Sequence, residues 1–102
     1  MIINILNKTI TSIDFSNTET AWKIEDAFLV LEHFKNIKKI VLGGDILTEN
    51  FEYNYDNWYY DTKTDQSMQV NIDCSIKHAN DYLANYIKLN GTAFYIVFVT
   101  QD

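Results

Sequence analysis

The chain has 102 residues, of which 47% are hydrophobic and 22% charged, and its formal net charge at pH 7 is −6. This length is sufficient for one hydrophobic core, and the composition is that of a globular protein rather than a disordered segment. The acidic balance and the absence of arginine argue against binding to nucleic acid or to an anionic membrane surface, because both depend on basic side chains. The charge favours a basic protein partner instead.

Targeting and disulfide signals are weak. The single cysteine, Cys74, excludes an intrachain disulfide and a multi-cysteine zinc site. The first ten residues, MIINILNKTI, are too short and too polar for a signal-peptide core, and no apolar run approaches the ~20 residues that span a bilayer. We therefore expect a soluble, cytoplasmic protein.

The first third of the chain combines a strand pattern with a helix pattern. Apolar residues alternate before position 16, as at Ile13 and Phe15, which predicts one or two short strands. Ser16 and Glu19 have the spacing of a capping box, with Thr18 as a competing cap. An amphipathic helix is predicted from Glu19 to about Lys35. Its apolar stripe is Ile24, Ala27, Phe28, Leu31 and Phe34.

Two glycines mark the next segment. The run Ile40–Leu42 is typical of a short strand, and Gly43 and Gly44 are expected to end it in a turn or a bulge. In the following strand region, aromatic residues from Phe51 to Tyr55 alternate with acidic and amide residues. One face of that strand would be aromatic and the other acidic or amide.

The last third predicts a helix and a buried strand. Residues 62–71 are polar and predict a loop. A second helix is predicted from Asp73 to Leu89, ended by Asn90 and Gly91. The final run TAFYIVFVT predicts a central strand. The sequence thus predicts a single α+β domain, with two amphipathic helices packed on one face of a mostly antiparallel sheet.

Residues with catalytic potential are few and weakly organised. Cys74 and His78 stand four apart and could touch on one helix face, but a small apolar residue and a solvated histidine explain them more simply. His33 is interpreted as a surface residue. The GGD sequence at 43–45 lacks the other residues of a nucleotide-binding loop. No catalytic residue, metal ligand or cofactor is assigned.

The segment YNYDNWYYD, residues 53–61, is the most biased part of the chain. Tyrosine and tryptophan dominate binding hot spots, and acids around them steer a basic partner. Trp58 is expected to be buried. Trp58, Gly43 and Gly44 are expected to have a structural role rather than to bind a partner. The candidate partner-binding residues are Asp45, Glu49, Glu52, Tyr53, Tyr55, Asp56, Tyr59 and Asp61. The alternative is a carbohydrate- or small-ligand-binding module that uses the rings of residues 53–60.

Several short motifs resemble one known family. Gly43-Gly44-Asp45 after a short strand and the DNWYY sequence at 56–60 form the first half of the likeness. A helix that carries Ser75 and Ala79, then Tyr86-Ile87 and the final apolar strand form the second half. Over roughly residues 38–99 the chain resembles the bacterial immunity protein 40 family of polymorphic toxin systems.

The resemblance implies a small cytoplasmic protein without catalytic activity or cofactor, which binds a cognate toxin domain and blocks it. The acidic charge would suit a basic nuclease toxin. We expect the protein to be a monomer or a weak homodimer.

Overall fold

The fold is an antiparallel sheet with two helices on one face, in a computed structural model that describes residues 1–14 and 19–101. Within these ranges, β1 (Ile2–Ile5) and β2 (Lys8–Thr11) form a hairpin. A second sheet has the strand order β3 (Ile13–Asp14), β4 (Thr20–Lys23), β7 (Tyr95–Gln101), β5 (Ile40–Leu47) and β6 (Tyr53–Tyr59). The helices are α1 (Ala27–Asn36) and α2 (Met68–Asn90). The predicted α+β class is confirmed, and β7 occupies the central position expected of the final apolar run.

Two apolar clusters lie on opposite faces of the five-stranded sheet. The larger cluster joins both helices, the hairpin and the inward residues of the sheet, such as Ile46 and Ile96. The smaller cluster contains Ala21, Leu47 and Val97 and no helical residue. Successive residues of a strand point to opposite faces, so the side of the smaller cluster is the one that the helices leave uncovered. We call it the open face.

A β-bulge at Leu42 decides which residues of β5 reach each face. Val41 lies opposite Thr100 of β7, whereas Gly43 lies opposite Val99, so Leu42 is the extra residue. A bulge of this kind reverses the direction of every later side chain in its strand. Val41 and Ile46 can therefore both enter the main core. The glycines do not end the strand as predicted, because β5 continues through them to Leu47; the predicted bulge is present and the turn is not.

Ser75 of α2 supplies the hydrogen bond that the bulge requires. The backbone N–H of Val41 donates to Ser75 Oγ at 3.0 Å, and this hydroxyl donates to the carbonyl of Ile72 at 2.9 Å. Ser75 is fully buried. A buried backbone N–H without a partner is costly, so Ser75 ties α2 to β5 at the position where the strand ladder is irregular.

Gly44 makes room for the indole ring of Trp58 on the neighbouring strand. The two residues lie opposite each other, and a Cβ atom at position 44 would lie 2.4 Å from Cη2 of Trp58. The ring stacks on Tyr82 of α2 with centroids 4.8 Å apart and meets Phe98 edge to face. Trp58 is 7% exposed, in agreement with its expected burial. Its indole N–H has no hydrogen-bond partner among the described residues, so packing holds the ring.

The predicted start of the first helix at Glu19 is wrong, because α1 begins eight residues later, at Ala27. Residues Thr20–Lys23 form β4, a 3₁₀ turn covers Ile24–Asp26, and α1 starts only at Ala27. Trp22 pairs with Ile96 of β7, and this sheet pairing outweighs the local helical periodicity. Ser16 of the predicted capping box, with Phe15 and Thr18, lies outside the described residues.

The second helix begins earlier than predicted. Ser67 is its N-cap and accepts a hydrogen bond from the N–H of Val70 at 3.1 Å. Residues 68–71, predicted as loop, form its first turn. Asn71 is buried there, and its side-chain amide bonds to both the N–H and the carbonyl of Lys63 and to the hydroxyl of Tyr60. Gly91 ends the helix with φ 84°, as the Asn-Gly signal predicted.

The Ser75 contact leads to a stability prediction. Replacing Ser75 by Ala leaves the Val41 N–H unpaired in the core, and we expect a loss of about 1–3 kcal/mol in the free energy of unfolding. Urea denaturation measures this loss, and hydrogen exchange should show faster exchange of the Val41 amide.

Cys74→Ala is the matched control, because it is a similar small-residue change at the adjacent, exposed position of α2. Its free energy of unfolding should stay within about 0.5 kcal/mol of the wild-type value. An equally small change in Ser75→Ala would show that the bulge does not need this hydroxyl.

Candidate protein-binding surface

The open face is a three-column grid of side chains from β6, β5 and β7. Cross-strand partners share a face. The rows of the grid are Tyr59–Gly43–Val99, Asn57–Asp45–Val97 and Tyr53–Leu47–Tyr95. Its middle and lower parts carry the smaller apolar cluster, and Phe51 stacks on Tyr95 with ring centroids 4.3 Å apart. The upper row is the most open, because Tyr59 is 72% exposed and Val99 47%.

Gly43 leaves a shallow depression in the upper row. The depression encloses about 300 Å³ and is lined in part by Asp45, Asn57, Tyr59 and Val99. A Cβ atom at position 43 would lie 2.3 Å from the carbonyl oxygen of Trp58. Glycine is thus required here by the close approach of the β6 backbone.

An irregular turn in β6 separates its tyrosines. Four residue steps from Tyr53 to Asn57 lie opposite only two steps of β5. Tyr55 sits at the apex with φ 68° and is 89% exposed. The Asn54 side chain accepts from the N–H of Asp56 at 3.0 Å, and the Asn57 amide donates to the Tyr55 carbonyl at 3.3 Å. The regular alternation expected from the sequence is broken, and Tyr55 is presented to solvent.

Tyr86 of α2 holds the other side of this turn. Its hydroxyl donates to the Asp56 carboxylate at 2.7 Å and accepts from the Asn54 amide at 2.9 Å. Burial and, next, the hydrogen bond to Asp56 raise the pKa of Tyr86 to about 12. Asp56 therefore has an internal partner, although its side chain is exposed. Sequence reasoning missed Tyr86 as a determinant of this segment, since the two elements are 30 residues apart.

Asp45 is the acid at the centre of the open face. Its carboxylate is partly buried and makes no hydrogen bond or ion pair within residues 1–14 and 19–101. Burial and then the neighbouring Glu19 carboxylate raise the pKa of Asp45. The Tyr53 hydroxyl donates to Glu19, and this bond is the first cause that raises the pKa of Tyr53 to about 12. Negative charge is thus concentrated around Asp45 and Glu19.

The remaining predicted acids lie outside the open-face grid. Glu49 and Glu52 are exposed at the connection between β5 and β6, and Asp61 is exposed after the end of β6. Together with Asp45 and Asp56 they occupy separate parts of the surface that surrounds β6.

The titratable residues outside this surface are dispersed. Cys74 and His78 are both exposed on α2, and no hydrogen bond joins them in the part of the chain that the structure describes. His33 lies on α1 beside Phe34. Among the described residues, no group of three or more histidine, cysteine, aspartate or glutamate side chains could hold a metal ion. No described helix combines the length and the apolar character that crossing a membrane requires.

One known protein family matches the sequence of this chain. The sequence model described as immunity protein 40 matches residues 9–100. The chain belongs to the immunity protein 40 family. No curated protein and no solved structure gives a significant match. The resemblance inferred from the sequence motifs is confirmed, and it extends further toward the N-terminus than residue 38.

Several residues of the short motifs that suggested the immunity protein 40 family occupy structural positions. Gly44 underlies Trp58, Ser75 bonds to the bulge, and Ala79 is fully buried in the main core. Tyr86 fixes the turn in β6. These four motif residues build the support of the open face. Two other motif residues, Asp45 and Tyr59, lie on the open face itself.

The Tyr86 contact generates a prediction on stability. Tyr86→Phe removes one charge-assisted and one neutral hydrogen bond, and we expect it to lower the free energy of unfolding by about 1–3 kcal/mol in urea denaturation at pH 7. Tyr59→Phe is the matched control, because it removes the same hydroxyl from an exposed ring.

The raised pKa adds a pH signature. Between pH 10 and about 12 the phenol of Tyr86 stays protonated in the folded state, while the unfolded phenol ionises. In this range the folded state binds more protons than the unfolded state. The contribution of Tyr86 to the free energy of unfolding is therefore fully present below pH 10 and is lost as the pH rises through this range. The fall should be less steep in Tyr86→Phe than in Tyr59→Phe. Parallel profiles would contradict the raised pKa of Tyr86, of which burial is the first cause and the hydrogen bond to Asp56 the second.

Proposed function

We propose that this chain is a stoichiometric inhibitor that binds a cognate bacterial toxin domain of a polymorphic toxin system and blocks it. The family description is that of an immunity protein, which implies a toxin as partner and inhibition without catalysis. Location in the cytoplasm, where the toxin would act, is part of the same proposal. The fold supplies a surface suited to this role.

The observation that carries the proposal is the exposure of large aromatic side chains on a rigid, acidic support. Tyr55 and Tyr59 project into solvent from β6, which is fixed to α2 by Tyr86 and by the buried ring of Trp58. Exposed tyrosines give a large contact area at little conformational cost. Their pre-ordered support lowers the entropy lost on association.

The charge distribution supports a basic toxin. The formal net charge of −6 attracts a positive partner from a distance, and several exposed acids lie within or beside β6, the strand that carries the exposed rings. Such complementarity accelerates encounter and orients the two proteins. A nuclease domain with a basic substrate-binding surface has the required charge, and we propose that class of toxin.

The carbohydrate-binding alternative requires several accessible rings around one concave site. The depression over Gly43 has one exposed ring, that of Tyr59, because the ring of Trp58 is buried. No observation on the described residues favours a glycan over a protein at this surface.

Co-expression with the toxin domain encoded beside this gene tests the proposed function. We expect the chain to restore growth and to copurify with the toxin in a 1:1 complex. The double variant Tyr55→Ala/Tyr59→Ala should lose rescue while keeping the wild-type unfolding transition, since both rings are exposed. If the wild-type chain neither restores growth nor forms a complex with the toxin, the proposal is refuted.

Reversal of the exposed acids tests the role of charge. Glu49→Lys, Glu52→Lys and Asp61→Lys should slow association with the toxin by about tenfold in combination and flatten its dependence on salt, with little change in dissociation. Stopped-flow kinetics at several ionic strengths measure both rates.

Asp65→Lys and Asp73→Lys form the control, because they reverse two exposed acids before and within α2. Each of these substitutions changes the net charge by the same amount as a substitution in the first set, but at a position outside β6 and its flanking residues. If the control pair slows association as much per charge, only net charge matters. An unchanged association rate in the β6 set would place the interface elsewhere.

A further inference from the structure

The depression over Gly43 has walls of different chemistry. Tyr59 and Val99 are the two cross-strand neighbours of Gly43, so they stand on either side of a position that has no side chain. Asp45 and Asn57 form the next row and line the same depression. A ligand that enters from solvent would meet an aromatic ring on one side, an aliphatic side chain on the other, and two polar groups beyond.

The two polar groups are acceptors. Asp45 has no hydrogen-bond or ion-pair partner among the described residues, and its charge is already disfavoured by burial and by Glu19. The Asn57 amide nitrogen is directed to the Tyr55 carbonyl, which leaves its Oδ1 atom as an acceptor. A cation that approaches Asp45 would relieve both the partial burial and the repulsion from Glu19.

We propose that this depression is a subsite for one arginine side chain of the toxin, with its guanidinium paired to Asp45, bonded to Asn57 Oδ1 and stacked on the ring of Tyr59. The inference rests on the proposed function and specifies the chemistry of its interface. It makes Asp45, rather than the more exposed acids, the anchor of the complex.

Arginine fits these walls better than the other occupants. A planar guanidinium has five N–H donors for two separate acceptors and can lie flat against an aromatic ring. A lysine ammonium is a compact, strongly hydrated charge that gains less from the ring. An apolar side chain would bury the Asp45 carboxylate without a partner, which is costly.

A probe experiment tests the subsite without any toxin. The 15N-labelled chain is titrated with N-acetyl-arginine methylamide and, separately, with the uncharged isostere N-acetyl-citrulline methylamide, while amide chemical shifts are recorded. We expect saturable shifts at Gly43, Asp45, Asn57 and Tyr59 with the arginine compound alone. They should vanish in Asp45→Asn and persist in Asp61→Asn, which removes an exposed acid outside the depression.

The same titration can refute the subsite. Equal shifts with citrulline, shifts that remain in Asp45→Asn, or no saturable shifts at these amides would each overturn the proposal. N-acetyl-lysine methylamide is the third probe. A response equal to that of the arginine compound would show that the depression binds any cation without preference for a guanidinium, and would overturn the assignment.

The toxin complex provides the second test. Asp45→Asn should weaken binding by about tenfold or more. Tyr59→Phe should bind as the wild type does, because it keeps the stacking ring, whereas Tyr59→Leu should bind less tightly. Urea denaturation establishes that each variant is folded.

The outcomes separate the two proposals. A toxin complex that is unaffected by Asp45→Asn would sink the arginine subsite and leave the immunity function intact. If the wild-type chain forms no toxin complex, the proposed function fails, and the small-molecule titration still decides whether the depression binds a guanidinium.

Discussion

The one-residue bulge at Leu42 is the constraint on which the rest of the structure depends. Side chains in a strand alternate, so the extra residue reverses the faces of everything that follows it. Val41 before the bulge and Ile46 after it both enter the main core, and Asp45 reaches the open face. A regular strand would bury Asp45 among the helices and expose Ile46. The hydroxyl of Ser75 stabilises this irregularity, since it accepts the Val41 N–H.

The bulge also brings Gly44 to the helical side of the sheet, where the missing side chain is replaced by the ring of Trp58. That ring packs on β5 at Gly44, on α2 at Tyr82 and on β7 at Phe98. The position of β6 is therefore set by packing on its inner side, together with its pairing to β5 and the hydrogen bonds of Tyr86. Its outer side carries Tyr55 and Tyr59, which are exposed and take no part in the core.

The sequence predicts those features whose signal is local. Gly91 ends α2, the apolar final run forms the central strand, and the ring of Trp58 is buried. Prediction from the sequence fails where a contact with a residue far away in the chain determines the local structure. Residues Thr20–Lys23 are helical in pattern but pair with β7, and the glycines of β5 resemble a turn until Trp58 is placed against them.

The candidate surface shows the same limit. The bias of residues 53–61 locates the segment, but only the turn at Tyr55 and the bond from Tyr86 to Asp56 distribute its side chains. Asp45, by contrast, owes its place on the open face to the bulge at Leu42. Charges at exposed positions act over about a Debye length and mainly change association. A partly buried acid without an internal partner acts at contact distance and mainly changes dissociation. Under the proposed interface, the acids that the local sequence groups together divide into two physical roles, and the fold decides which acid takes which role.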